Sequence, residues 1–270
     1  MTRLLTLMQT VEPFRGSHRK SPSPQVPKSP SPQIKRKYLS ISDNMSRKSA
    51  ALALLLFVPA FSIGVAMSLF IAPGIIGNSI FTATKIWAVI FPLAWTVKHN
   101  FQALRLPKFS LQEVGVGLGL GILMFSIIIS AYFLIGQEII DITAIKAKAT
   151  EVGITSPLLY LAGCAYWSFI NSLIEECTWR GFVVFRCKVL FPEAIAIILA
   201  ALFFTTHHSI ALYGYTHSWT IVLIGSLGVF IAGVVWAGVY DRYGSIAPGY
   251  ISHILADLAI AFVGYQLLFV

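Results

Sequence analysis

Apolar runs of about twenty residues recur from position 50 to the C-terminus, separated by short stretches rich in Pro, Gly, Ser or charge. Each run is long enough to cross a bilayer, because a hydrocarbon core of about 30 Å needs about 20 helical residues. The pattern predicts seven spanning helices over roughly 50–72, 79–97, 114–136, 157–187, 193–213, 219–240 and 246–268. Between the third and fourth, "QEIIDITAIKAKATEVG" is too polar to cross and predicts an amphipathic helix lying in the interface. The expected fold class is therefore all-α: a polytopic transmembrane helix bundle of about seven spans plus one interfacial helix. Gly115, Gly117, Gly119 and Gly121 in the third run predict close helix packing, the usual use of small residues in membranes.

Composition fits this pattern, with 56% hydrophobic and 11% charged residues, where a soluble domain would carry about 25% charged. Residues 1–48 differ from the rest. They are basic and rich in Ser and Pro, and "KSPSPQ" occurs at 20–25 and again at 28–33. Such a segment buries too little apolar surface to offset its chain entropy, so a disordered tail is expected. Met45 followed by "SRKSAALALLL" reads as a natural start, with residues 1–44 as an upstream extension. The membrane domain then covers 49–270.

The net charge of +9 is a topology signal and not a nucleic-acid footprint. Ten of the twenty Lys and Arg residues precede residue 49. Lys98, Arg105, Lys108, Arg186, Lys188 and Arg242 fall on the same side as that tail, leaving only Lys146 and Lys148 in the opposite loops. The expectation is an integral membrane protein with a cytosolic N-terminus and an outside C-terminus, in the plasma (inner) membrane of a prokaryote. Lys85, near the outer end of the second span, is expected to snorkel to the interface. Cys164, Cys177 and Cys187 form no CxxC pair and read as small buried packing residues, while Trp and Tyr fit lipid-interface anchoring.

Few polar residues remain inside the spans: Asn171, Glu175, Glu176 and Arg180 on the fourth, His207 and His208 on the fifth, His253 and Asp257 on the seventh. Ionisable residues at that depth are functional candidates. Glu175 and His208 lie equally far from a turn near Pro192, so an antiparallel hairpin brings them to one level. His253 follows the Tyr243–Gly244 turn at a similar depth, nearer the cytosolic side. Asp257 shares a helix face with His253, as Arg180 does with Glu176. Asn171, one turn before Glu175, is either a hydrogen-bond partner to it or interhelical glue. His18, His99 and His217 read as loop or interface residues.

"EECTWR" fits Glu-Glu-x-x-x-Arg, "FTTHH" fits Phe-x-x-x-His and "HILAD" fits His-x-x-x-Asn/Asp. In this order they resemble the signatures of the CPBP intramembrane protease family, which includes CAAX prenyl endopeptidases and bacteriocin-immunity relatives. The resemblance covers about residues 160–265. It implies Glu175 as the general base that activates a water for peptide hydrolysis. It also implies Glu176 paired with Arg180, and His208 with His253 orienting the water or stabilising the oxyanion. "FFTTHH" can equally be read with His207 in place of His208; the turn geometry favours His208. An ionised Asp257 cannot donate a hydrogen bond as Asn could, so it carries a proton, orients His253 or binds a metal.

No cofactor is expected on the preferred reading. Zinc is the alternative, with His208, His253 and either Glu175 or Asp257 as ligands. The expected partners are a peptide or protein segment at the membrane and the bilayer itself, with no nucleic acid. Other functions compatible with these residues are a proton-coupled transporter, a membrane metal or haem redox protein, and an inert immunity or scaffold protein. A transporter built from two similar halves would show an internal repeat, and the chain has none.

Overall fold

The computed structural model describes residues 46–100 and 110–270, except the side chains of His99 and Asn100. The expected disordered tail up to residue 45, His18, Arg105, Lys108 and the His99 side chain lie outside the described residues. The described chain is helical without strands: α1 (Arg47–Ile71), α2 (Ile75–Asn100), α3 (Leu111–Ile139), α4 (Ile142–Glu151), α5 (Pro157–Leu190), α6 (Glu193–Thr216), α7 (Trp219–Tyr243) and α8 (Ala247–Phe269). Seven of these are long and apolar enough to span a membrane, all except the amphipathic α4. The predicted elements are all present, the first six spans a few residues longer than their apolar runs and the last of equal length.

Polar residues set the starts. Ser46 caps α1, Asp141 caps α4, Ser156 precedes Pro157 at α5, and Ser218 caps α7, each accepting a backbone N–H that the first turn leaves unpaired. At α3, Ser110 and Glu113 form a reciprocal capping box. Left-handed residues set two stops, Gly244 after α7 (φ 64°) and His217 after α6 (φ 48°). The second is less usual, because a Cβ disfavours this conformation.

Helices α1 and α2 pack as a hairpin, as do α6 and α7, and α8 runs along α3. A core of Phe57, Phe61, Phe91, Trp179, Phe182, Phe204 and Trp236 joins α1, α2, α5, α6 and α7. Trp179 and Trp236 are thus buried, against the expectation of interface anchoring. The cysteines also divide. Cys187 is buried, Cys164 half-buried and Cys177 exposed on the outside of the bundle, where the face of α5 turns away from its neighbours.

The glycine stretch of α3 is likewise split between two faces. A Cβ on Gly117 would stand 3.0 Å from Pro248 O and 2.8 Å from Ile251 Cβ, and one on Gly121 would reach Ser252 Cα at 3.0 Å. Gly115 and Gly119 have nothing within 4 Å. Of the four, only Gly117 and Gly121 face α8 and let it approach. Gly117→Val or Gly121→Val should therefore cost about 1–3 kcal/mol of stability, with Gly119→Val near wild type. Thermal unfolding of detergent-purified protein checks this, and equal losses at all three positions would contradict the close α3–α8 packing.

Candidate active site

The central helix of the site is α5, and it is not a regular α-helix. A turn of α-helix at Ser172–Glu175 sits between π-helical segments at Tyr166–Asn171 and Glu176–Val184. Such segments close i→i+5 bonds, take up more residues per turn, and recur at functional sites. Hydroxyls lie against the irregular turns: Thr178 Oγ1 donates to Ile174 O at 2.8 Å, and Ser172 Oγ stands 3.1 Å from Trp167 O. The outcome is a broad inward face on which the adjacent Glu175 and Glu176 are both buried, at 1% and 0% exposure.

Glu176 is enclosed. His253 Nδ1 donates to its Oε1 at 3.0 Å, and Arg180 Nη1 lies 3.2 Å from the same oxygen. The Arg180 contact is an ion pair without hydrogen-bond alignment, since neither Nη of Arg180 makes a hydrogen bond among the described residues. Its guanidinium instead rests on the faces of Phe204 and Trp236, 4.5 and 4.9 Å from the ring centroids. Helix α8 passes so close that a Cβ on Gly249 would meet Glu176 Oε2 at 2.5 Å. The His253 ring stacks on Trp236 at 4.2 Å, and Trp236 Nε1 is held by Ser252 Oγ.

Glu175 is differently placed. Asn171 Nδ2 donates to its Oε1 at 2.9 Å, and Lys85 Nζ donates to Asn171 Oδ1 at 2.7 Å while standing 3.8 Å from Glu175 Oε1. His253 Nε2 is 3.8 Å from Glu175 Oε2 and 3.8 Å from Asp257 Oδ1. Asp257 accepts a hydrogen bond from Ser172 Oγ at 2.5 Å. His207 and His208 approach Glu175 from α6, each offering a ring nitrogen within 4.8 Å of a Glu175 oxygen and of each other. His208 Nδ1 donates to Phe204 O at 2.9 Å, which leaves Nε2 as its free nitrogen. His207 is buried and lies flat against Trp179, with neither ring nitrogen hydrogen-bonded among the described residues.

All the residues expected at the site thus converge, from α5, α6 and α8. One expectation needs correcting. Lys85 does not snorkel to the interface. It points into the bundle, where Asn171, Glu175 and the rings of Phe61, Phe81 and Trp167 receive the ammonium. Among the described residues Glu175, His207 and His208 bring ligand-type atoms within 4.8 Å of one another, which adds His207 to the zinc ligands expected from the sequence. Glu175, His207 and His208 match a zinc site in number and type, and His208 has the outer carbonyl partner that ligating imidazoles use. The ammonium beside Glu175 opposes a second cation there.

A cavity of about 40 Å³ borders the site, lined by Phe61, Phe81, Lys85, Trp167, His207 and His208 among others. It exceeds the roughly 10–15 Å³ a water needs and is polar on one wall.

Breaking the Glu176 cluster should be costly. Arg180→Ala leaves two adjacent carboxylates with one cation fewer in a buried setting, a loss of about 3–5 kcal/mol. Folded yield by size-exclusion chromatography should fall sharply, and a yield equal to wild type would show that Arg180 is not needed as a counterion.

No curated protein and no solved structure matches the chain. Residues 157–259, which hold all three motifs, match the family model described as Type II CAAX prenyl endopeptidase Rce1-like, the family to which the motif resemblance points.

Proposed function

We propose that this protein is an intramembrane endopeptidase that hydrolyses a peptide bond in a membrane-associated, CAAX-like substrate, with Glu175 as the base. The observation that carries this reading is the asymmetry of the two carboxylates. Glu176 is held through Oε1 by Arg180 and His253, whereas Glu175 faces two further histidines that line a cavity of water size.

In the proposed step, Glu175 takes a proton from water as the water oxygen bonds to the scissile carbonyl carbon. Collapse of the tetrahedral intermediate breaks the C–N bond, and the leaving nitrogen takes the proton back from Glu175. His208, fixed through Nδ1 on Phe204 O, presents a lone pair that orients the water. His253 holds Glu176 through one nitrogen and lies beside Glu175 and Asp257 with the other. Asp257, bonded to Ser172, positions His253 from below. The charge asymmetry along the chain supports a cytosolic N-terminus.

The Lys85 ammonium supports a metal-free reaction, because it already neutralises Glu175. Zinc held by Glu175, His207 and His208 is the second reading, and such an ion would supply a more acidic bound water. One experiment separates these. New protein termini are compared in membranes carrying wild type or Glu175→Ala, each with and without a strong chelator. The expected result is a set of termini made by wild type alone and unaffected by chelator. Absence of any Glu175-dependent terminus would reject the protease reading, and loss in chelator with return on added zinc would reject the metal-free one.

A further inference from the structure

A peptide hydrolase must stabilise the negative charge that appears on the carbonyl oxygen, and the groups expected to do so here are already engaged. Asp257 is tied to Ser172 Oγ at 2.5 Å, and it offers no N–H to an oxyanion. His208 has its proton on Nδ1, because Phe204 O can only accept, so in the neutral ring Nε2 is an acceptor as well. His253 is committed through Nδ1 to Glu176, and its Nε2, 3.8 Å from Glu175 and from Asp257, is not part of the cavity wall. His207 offers at most a neutral N–H, roughly half as strong toward an anion as a charged donor.

Lys85 has what these lack. Its ammonium carries three N–H donors, of which Asn171 Oδ1 takes one at 2.7 Å. Glu175 at 3.8 Å is an ion-pair neighbour beyond hydrogen-bond distance. The side chain is 16% exposed and forms part of the cavity wall together with His207 and His208. Asn171 bridges Lys85 and Glu175, so it fixes base and cation at one spacing. The rings of Phe61, Phe81 and Trp167, 5.9, 5.4 and 4.9 Å from Nζ, keep water from screening the charge.

We propose that Lys85 is a catalytic residue, whose ammonium binds the scissile carbonyl oxygen and stabilises the oxyanion. The step balances with the reaction above, on which it rests. As the water oxygen bonds to carbon, the C=O π pair moves onto oxygen beside Nζ, and it re-forms the double bond when the amine leaves. Lys85 donates hydrogen bonds throughout and keeps its own protons.

The test uses the full chain in lipid bicelles, with a farnesylated, internally quenched CAAX peptide as the probe. Wild type, Glu175→Gln, Lys85→Met and Lys85→Arg are compared for folded yield, kcat and KM over a range of pH. Loss of an oxyanion donor predicts a kcat for Lys85→Met lower by about 10²–10³-fold at every pH, with KM changed by less than about threefold. Lys85→Arg, which keeps a cation, should fold like wild type and recover at least about tenfold of that loss. Four results would overturn the proposal while Glu175 dependence stands. They are a Lys85→Met kcat within about threefold of wild type, a loss confined to KM, a loss regained as pH is raised, and Lys85→Arg no better than Lys85→Met. The third would make Lys85 only the counterion of Glu175. If Lys85→Met does not fold, the Lys85→Arg result decides: activity as low as Glu175→Gln at normal folded yield overturns it. Cleavage that does not depend on Glu175 would overturn the protease reading, and this proposal with it.

Discussion

Two adjacent carboxylates inside a membrane bundle must each be met by opposing charge or by hydrogen bonds, and much of this structure follows from that requirement. An unpaired buried charge costs several kcal/mol, more than a bundle of marginal stability can absorb at two neighbouring positions. The counterparts come from different helices. Arg180 on α5 and His253 on α8 meet Glu176, while Lys85 on α2 and Asn171 on α5 meet Glu175. The ion pairs therefore act as cross-links among α2, α5 and α8, and the aromatic core around them excludes water.

The same requirement accounts for local irregularities. Glu175, Glu176, Trp179 and Arg180 are spaced i, i+1, i+4 and i+5, so they share one helix face, and all four are buried against the neighbouring helices. Gly249 removes a Cβ where Glu176 presses against α8, and Gly117 and Gly121 let α3 support that helix from behind. Trp236 serves two groups, stacking on His253 and lying under the Arg180 guanidinium. The two glutamates end in unlike settings. One is sealed by its partners, and the other stays beside a small cavity with groups suited to holding water.

How much of this could be read from the chain differs by feature. Span number and order follow from run length, because a bilayer-crossing helix needs about 20 apolar residues whatever its neighbours are. The convergence of Glu175, His208 and His253 follows from their distances to the turns and from three motifs in order. The direction of Lys85 does not. A lone lysine ten residues into α2 can reach the interface or the interior, and the rotation of α2 against α1 and α5 decides, which no local pattern specifies. The glycines alternate every second residue, yet helical periodicity makes a face only of those four apart, so Gly115 and Gly119 were indistinguishable from Gly117 and Gly121. The metal-competent triad went unread for a similar reason. His207 and His208 are neighbours about 100° apart on a helix, and both reach Glu175 only because α6 presents the edge between them.

The central claim is the division of labour between the two glutamates, and parallel measurement of Glu175→Gln and Glu176→Gln tests it most directly. Folded yield and turnover of a quenched substrate peptide would be determined for both in the same lipid. The account predicts that Glu175→Gln folds near normally and is inactive, since it loses a base and keeps a hydrogen-bonding amide. Glu176→Gln should lose folded protein, because Arg180 and His253 are left without their carboxylate, and what folds should retain turnover. An active Glu175→Gln beside a well-folded but inactive Glu176→Gln would contradict the account and exchange the two roles.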